Sequence, residues 1–307
     1  MLYLEETVDA ILSEEGQTLM GLDFLTDTLG LTMKKMELLF KKSVLEYSKR
    51  RPIKETKEFN AINVSTEYAL LTMPENTLSV RAVRYGVLPS IPRFYLPTFG
   101  EISYEFEKHN LSLKVWPPIA PLKITYTRGY AFTKEIELQE KYYCYEGDDV
   151  IYDVLPCTYR ENSLTIVKNN VEMKELSRDV NTFEENGVTR EETVVTLSGN
   201  LGTGTINLNT REFELDLTDT TAGYIYFIFK PQYKVIKELD LGDFVFTKLF
   251  ALKILEALAS LRAQATQTEL HNVDLTTDEL YSRVRILKRE VDKLLKSTQS
   301  ISSMLPL

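Results

Sequence analysis

Hydrophobic residues recur at helical spacing near both ends of the chain and alternate with polar residues in between. In the segment 32–50, TMKKMELLFKKSVLEYSKR, apolar residues follow one another at steps of four and three, which predicts a helix that Pro52 ends. The apolar positions of this helix are Met36, Phe40, Val44 and Tyr47. Two shorter helices are predicted before it, near Glu5–Glu15 and Met20–Leu29.

Two further helices are predicted at the C-terminal end. In the segment 243–264 polar side chains occupy only a narrow stripe, so this helix is expected to be buried against several neighbours. Thr276 and Glu279 form a capping-box pattern that predicts the start of the last helix. Its apolar seam is Leu280, Val284, Leu287, Val291 and Leu294. A seam of only about two heptads favours packing within a helical bundle over a free coiled coil.

Between the helices the pattern changes to a period of two, which is typical of strands with one buried face. In 57–128, short runs closed by proline or glycine predict a small antiparallel sheet, with Leu78, Val80 and Ala82 on one face. In 132–236 the strands and turns continue over roughly 100 residues, which is long enough for a separate domain with a β-sandwich-like fold.

The order of helices, strands and helices predicts an α+β protein. Its N-terminal and C-terminal helices are expected to form one helical bundle, from which an antiparallel β wing and an inserted β-sandwich-like domain project. The predicted boundaries are 1–56 for the N-terminal helices, 57–131 for the wing, 132–238 for the inserted domain and 239–307 for the C-terminal helix pair.

Composition narrows the classes of function. The formal net charge of −9 argues against a dedicated nucleic-acid clamp, which would be basic. No apolar run approaches the roughly 20 residues that span a bilayer, and the acidic start MLYLEETVDAILSEE is not expected to be a signal peptide. Cys144 and Cys157 are too few for a disulfide framework, so we expect reduced strand residues in a protein made in a cytoplasm.

The stretch LSGNLGTGTINL, residues 197–208, raises the question of a phosphate-binding loop. A P-loop requires G-x-x-x-x-G-K-[ST], and this stretch contains no lysine. A dinucleotide-binding turn requires G-x-G-x-x-G before a helix, whereas here a period-two run follows G-x-x-G-x-G. Gly199, Gly202 and Gly204 are therefore predicted to lie in a hairpin connection that uses glycine for positive φ.

No other pattern predicts catalysis, a cofactor or a metal. His109 and His271 lack a second ligand at zinc spacing, and no G-x-S-x-G turn supports a serine nucleophile. The acidic pair Asp148–Asp149 is interpreted as turn chemistry in preference to a calcium site, and Trp116 as a strand-end packing residue. We expect no enzyme activity, no cofactor and no bound metal. An acidic chain with so apolar a helix points instead to an oligomeric assembly.

Two motifs follow one another near the N-terminus. The first comprises Leu45, Tyr47, Ser48, Arg51 and Pro52 at the end of a helix. The second comprises Met73, Pro74, Leu78, Val80, Val83 and Tyr85 in a strand region. They resemble the opening of tailed-bacteriophage head-to-tail connector, or neck adaptor, proteins, in which A-L-x-x-Y-S-x-x-R-P precedes L-P-x-D-x-L-x-V-x-x-V-x-Y.

The C-terminal segment is similar to the helix pair that closes the same family, in which an Ala- and Leu-rich helix ends near an arginine and a D-L pair follows. The matching residues are Leu258, Leu261, Arg262, Asp274 and Leu275. The stretch 197–234 resembles instead the β domains of phage tail and baseplate proteins. Simple connector proteins are shorter and lack such an insertion.

The resemblance implies a structural virion protein of the neck region, assembled in the host cytoplasm without a membrane partner. It implies a ring of identical copies, commonly a dodecamer, between the portal protein and adjacent neck or tail proteins. Double-stranded DNA would pass through its channel without sequence-specific binding. A net acidic chain suits that channel, because a lumen that attracted phosphates would hold the DNA back.

Two alternatives remain open from the sequence. A baseplate or tail-completion protein is favoured by the glycine-rich β segment, and its β domain would form the ring. A carbohydrate-binding module would need a cleft lined by aromatic residues. The tyrosines that cluster in the sequence are Tyr142, Tyr143, Tyr145, Tyr152 and Tyr159, at spacings that spread them over both strand faces.

The residues expected at the assembly interface lie on the two C-terminal helices. They are Leu249, Leu252 and Leu255 on the first helix and Val284, Leu287 and Val291 on the second. A charged substitution such as Leu252→Asp is expected to abolish assembly while the β domain stays folded, because a buried unpaired charge costs several kcal/mol.

Overall fold

The computed structural model describes residues 1–12, 31–59, 64–65, 68–85, 104–107, 110–113, 122–185, 188–264 and 277–302. Within these ranges the chain contains four helices and mostly antiparallel strands, so the predicted mixture of the two is confirmed. The helix predicted near 20–29 lies outside the described residues, as do His109, Trp116, His271 and Thr276.

Internal contacts divide the chain into two compact units. Unit 1 comprises Met1–Leu38, Phe132–Thr247 and Ser260–Asp274, and unit 2 comprises Leu39–Ala131, Lys248–Ala259 and Leu275–Leu307. The helices are α1 (Leu4–Leu12), α2 (Met33–Arg50), α3 (Phe244–Gln264) and α4 (Thr277–Ser302). Among the described residues, no helix is both long enough and apolar enough to cross a membrane.

The helices bury the residues that their patterns predict. In α2 the four predicted apolar positions, Met36, Phe40, Val44 and Tyr47, are all buried. In α3 buried side chains lie all round the helix, because apolar residues occupy most of its circumference. Asp243 caps the start of α3, since its carboxylate accepts a hydrogen bond of 2.9 Å from the backbone N–H of Phe246.

The described part of the β wing holds seven strands, all in unit 2. They are β1 (Ile53–Phe59), β2 (Val64–Ser65), β3 (Tyr68–Thr72), β4 (Thr77–Tyr85), β5 (Tyr104–Glu107), β6 (Asn110–Leu113) and β7 (Leu122–Arg128). They form one antiparallel sheet in the order β1-β7-β4 and a second in the order β2-β3-β6-β5. The wing therefore contains two small sheets where the pattern predicted one.

The faces of β4 differ from the predicted ones. Leu78 is exposed, whereas Val80 and Val83 are buried. The register of β4 against β7 shifts twice, so that Leu78 and Arg81 have no paired residue on β7. A bulge adds a residue to one strand and turns the following side chains to the other face. The prediction that Leu78, Val80 and Ala82 share a face is wrong for this reason.

The described part of residues 132–238 holds ten strands, all in unit 1. They are β8 (Phe132–Thr133), β9 (Leu138–Cys144), β10 (Val150–Val154), β11 (Thr165–Lys168), β12 (Val171–Glu185), β13 (Val188–Gly199), β14 (Gly202–Asn207), β15 (Glu212–Leu217), β16 (Gly223–Phe229) and β17 (Val235–Ile236). Eight of them form one sheet in the order β10-β15-β14-β13-β12-β11-β16-β9, and β8 pairs with β17.

The eight-stranded sheet curls until it is nearly a barrel. Tyr142 on the edge strand β9 donates its hydroxyl hydrogen to the carbonyl of Val154 on the other edge strand, β10, over 3.1 Å. The Tyr142 ring also packs against Phe213 of β15 and Phe227 of β16, with centroids 4.9 and 5.0 Å away. The eight strands are thus one curled sheet around a single core, where the sequence predicted the two facing sheets of a sandwich.

The glycine-rich stretch is the hairpin that joins β13 to β14, as predicted. Of its glycines only Gly202 has a positive φ, of 141°. A Cβ atom on Gly199 would clash with the carbonyl oxygen of Glu172, and one on Gly204 would lie 2.6 Å from that of Glu214. Gly199 and Gly204 therefore permit close approach of neighbouring strands, which corrects the expectation that positive φ explains all three.

Candidate functional site

Within the described residues, no three His, Cys, Asp or Glu side chains come together in a way that could hold a metal ion. Asp148 acts as a turn residue, because its carboxylate accepts a hydrogen bond of 2.9 Å from the backbone N–H of Tyr145. Both cysteines are free and buried; Cys144 lies in β9, but Cys157 lies outside the strands. Burial, followed by the negative charge of Glu5, raises the pKa of the Cys157 thiol and so suppresses its reactive thiolate.

The interface residues predicted from sequence lie largely inside the chain's own core. On α3, Leu249, Leu252 and Leu255 are buried, and on α4, Leu287 and Val291 are buried while Val284 is half-buried. A side chain that is buried within its own chain stabilises the fold of the single subunit, whether or not the subunit assembles with other copies. The role of these six residues between copies stays a prediction.

Contacts between α2 and α3 join distant parts of the sequence within unit 2. The rings of Phe40 and Phe250 meet edge to face with centroids 5.0 Å apart, and both residues are fully buried. Lys253 forms an ion pair with Glu46 over 3.0 Å. The pKa of Lys253 is raised because its hydrogen bond to Glu46 and the nearby charges outweigh the opposing effect of desolvation.

Polar contacts also hold α4 to both of these helices. Arg50 pairs with Asp292 over 3.0 Å, and Lys248 pairs with Glu290. The guanidinium of Arg51 donates a hydrogen bond of 3.0 Å to the backbone carbonyl of Leu294. Side-chain contacts therefore connect α2, from the N-terminal part of the sequence, with α3 and α4 from the C-terminal part.

Charge is distributed unevenly along the chain. The helix α2 carries six basic and two acidic residues, whereas residues 132–238 carry 11 basic and 20 acidic residues. Within unit 2, the exposed face of α2 presents Lys41, Lys42 and Lys49 around an exposed Leu45. The net charge of −9 for the whole chain gave no sign of this basic surface, although counting the charges of each predicted helix separately would have shown that α2 is basic.

Four tyrosines form a cluster at the surface of unit 1, here called the tyrosine cluster, in which three rings are exposed and that of Tyr226 is half-buried. The Tyr143 ring lies edge to face against Tyr145 at 5.0 Å and against Tyr224 at 5.2 Å, and Tyr226 follows at 6.4 Å from Tyr224. The ammonium of Lys141 lies 5.2 Å from the centre of the Tyr224 ring. Tyr145 is 68% exposed, and apolar rings that are exposed side by side, as these are, mark a binding surface more than a single exposed ring does.

Polar turns lie near the tyrosine cluster. The turn after Tyr145 is joined to the turn before Tyr224 by a backbone hydrogen bond of 2.9 Å from Gly147 to Thr220. In the second turn Asp219 accepts hydrogen bonds from Thr221 and Asn169, which lower its pKa to about 2. Carboxylate, amide and hydroxyl groups that bond to one another therefore lie in a turn that is joined to the turn after Tyr145.

The structure separates the five tyrosines that the sequence grouped. Tyr143 and Tyr145 belong to the tyrosine cluster, whereas Tyr142 packs into the sheet and Tyr159 is buried. Tyr152 is exposed on β10, where its hydroxyl donates to Glu214 over 2.8 Å. Sequence reasoning missed Tyr224 and Tyr226, because the pairing of β16 with β9 cannot be derived from either strand alone.

A buried acidic contact fixes α1 within unit 1. The Glu5 carboxylate accepts hydrogen bonds from the hydroxyl of Thr158 at 2.6 Å and from its backbone N–H at 3.0 Å. Asp9 pairs with Arg211. Desolvation by burial is the largest influence on Glu5, Glu6 and Asp9, and it raises the pKa of all three carboxyl groups.

Comparison with known proteins identifies no relative. No protein-family model matches the sequence, and neither a curated protein nor a solved structure matches the chain.

Proposed function

We propose that this protein is a structural virion component that forms an oligomeric ring in the neck of a tailed bacteriophage. The ring joins the portal protein to the tail and leaves a channel for double-stranded DNA. The supporting observation is that α2 and α4, which belong to the two segments that resemble connector proteins, contact each other through residues of unit 2. Asp274 and Leu275 of the C-terminal pattern lie outside the described residues. Arg50 in the first segment contacts Asp292 in the second across 242 positions of sequence.

In this proposal the helices of unit 2 form the bundle that assembles the copies. Leu252 and Leu287 stabilise that bundle from within each subunit, because both are buried. The contacts between copies come from apolar side chains that the subunit leaves outside. Leu45 on α2 is 54% exposed and Ile286 on α4 is 67% exposed.

The test is imaging of the purified chain by negative stain, alone and mixed with the portal protein encoded beside it, with mass photometry of the same samples. Rings with an open channel, or portals decorated at one end, support the proposal. Monomers that ignore the portal contradict it and favour a tail or baseplate role. A Leu45→Asp, Ile286→Asp variant is expected to lose the ring, whereas Val154→Asp, at an exposed position of β10, is expected to retain it.

The tyrosine cluster favours carbohydrate binding as a second candidate function. Exposed aromatic rings offer flat apolar faces to the C–H groups of a sugar ring. The polar side chains of the neighbouring turns, Asp219, Asn169 and Thr221, can exchange hydrogen bonds with hydroxyl groups. This combination of an aromatic surface with hydrogen-bonding groups is typical of a sugar site.

Saturation-transfer NMR with cellohexaose and maltohexaose tests the second function. Binding that Tyr224→Ala abolishes and Tyr152→Ala retains would support it, because Tyr152 is an exposed tyrosine outside the cluster. Absence of saturation transfer to both sugars would count against it.

A further inference from the structure

The outer surface of α4 carries a row of four basic side chains. They are Arg285, Arg289, Lys293 and Lys296, and each is exposed. Since successive residues of a helix turn by about 100°, the four lie within an arc of about 80°. This arc is opposite the buried residues Leu287 and Val291. We call this row the basic ridge.

The acidic residues in the same part of α4 are engaged elsewhere. Glu290 pairs with Lys248 on α3, and Asp292 pairs with Arg50 on α2. Among the residues that the structure describes, none of the four ridge side chains forms an ion pair of its own. Asp292 lies beside Arg289, Lys293 and Lys296 and offsets part of the ridge's charge, but four cations against one shared carboxylate leave the ridge with a net positive charge.

The spacing of the ridge works against the stability of the helix. Arg285 and Arg289 are four residues apart, as are Arg289 and Lys293, so that like charges face each other on adjacent turns. Such pairs destabilise a helix, and a bound polyanion removes the repulsion. The arrangement is explained by a ligand that carries negative charges in a row.

We propose that the basic ridge binds the phosphate backbone of double-stranded DNA. Arg285, Arg289 and Lys293 are spaced about 6 Å apart along the helix axis. This regular series of cations can face the regular series of phosphates on one DNA strand. The two arginines add the geometry that phosphate oxygens pair with in bidentate fashion.

The choice of DNA as the polyanion rests on the proposed function, whereas the affinity for phosphate is a property of the ridge itself. The inference also refines the expectation of an acidic lumen. A few cations on a chain of net charge −9 give a contact that is weak and sensitive to salt, and that does not hold the genome firmly.

Fluorescence anisotropy with a short labelled DNA duplex at low salt tests the inference. The ridge variant Arg289→Gln, Lys293→Gln is expected to bind about tenfold more weakly or worse, and its slope of log affinity against log salt should be shallower by about 2. The control Arg283→Gln, Lys288→Gln removes two exposed charges from the flanks of the same helix and should bind as the unaltered protein does.

Three results would overturn the inference: no DNA binding at low salt, an equal loss in the control variant, or displacement of DNA by polyglutamate at equal charge concentration. The last would point to an acidic protein as the ligand. Circular dichroism checks that both variants are folded. Imaging of the unaltered protein separates the two proposals, because rings that do not bind DNA overturn only the ridge, and DNA binding without rings overturns only the neck assignment.

Discussion

The guanidinium of Arg50 on α2 donates a hydrogen bond of 3.0 Å to the carboxylate of Asp292 on α4, and the two residues are 242 positions apart in sequence. Their side chains are 38% and 41% exposed. At this exposure solvent screens most of the attraction, so the pair orients α4 more than it stabilises it.

We therefore expect Asp292→Asn to lower the free energy of unfolding by less than about 1 kcal/mol. Phe40→Ala, which removes a fully buried ring in contact with Phe250, should lower it by about 3–5 kcal/mol. Urea unfolding followed by far-ultraviolet circular dichroism measures both. A larger loss for Asp292→Asn than for Phe40→Ala would show that the ion pair matters more than the packing.

Leu252→Asp is expected to unfold the helices of unit 2 and to abolish assembly. Leu252 is 3% exposed, and an unpaired charge at such a position costs several kcal/mol. Amide hydrogen exchange should show lost protection in α3 and retained protection in the strands of the eight-stranded sheet. The control is Val180→Asp, because Val180 is 58% exposed on β12. An unchanged oligomer size for Leu252→Asp would contradict a role of the helices in assembly.

Gly202→Ala should destabilise the eight-stranded sheet by about 1–3 kcal/mol. Gly202 has a φ of 141°, and a Cβ atom there would clash with the backbone carbonyl of Asp216 on β15. Gly223→Ala is the matched control, because a Cβ atom at Gly223 meets no atom within 4 Å. Its effect is expected to stay within about 0.5 kcal/mol, and thermal unfolding of the two variants gives the comparison.

Mild acid should strengthen the docking of α1. Burial raises the pKa of the Glu5 carboxyl above its ordinary value of 4.5, so the folded state binds the proton more tightly than the unfolded state. The resulting stabilisation is complete below the unfolded pKa and is lost as the pH rises through the folded pKa. Hydrogen exchange of the α1 amides, corrected for intrinsic rates, should therefore slow between about pH 7 and about pH 5.

Glu5→Gln provides the control for this pH effect. Glutamine cannot titrate, so the part of the pH dependence that Glu5 contributes should disappear, and only the parts from Glu6 and Asp9 should remain. If the variant responds to pH as strongly as the unaltered protein, the buried carboxyl of Glu5 is not the cause.

The helices could be read from the sequence because their signal is local. The buried positions of α2 follow from steps of three and four, and the burial of α3 follows from its shortage of polar residues. The partners of these helices could not be derived in the same way. Contacts such as Lys253 with Glu46 depend on how distant segments fold together, which no pattern within one segment contains.

For the strands, too, local features could be predicted from the sequence but their long-range arrangement could not. Their existence and the hairpin at Gly202 were predictable from alternation and from the failure of the nucleotide-binding patterns. The curling of eight strands into one sheet was not, and neither were the bulges that turn Leu78 outwards. The tyrosine cluster and the basic ridge were missed for related reasons, since the first needs the register of two strands and the second a view of one helix face.

The strand order of the eight-stranded sheet has a consequence for synthesis on the ribosome. Strands β11 to β14 each pair with their immediate successor and can fold as they emerge, but β9 must wait about 80 residues for β16, and β10 about 60 residues for β15. At roughly 5–20 residues per second, both edge strands stay unpaired for several seconds. The sheet therefore forms from its middle strands outwards, and the edge strands β9 and β10, which are synthesised early, are among the last to find their partners.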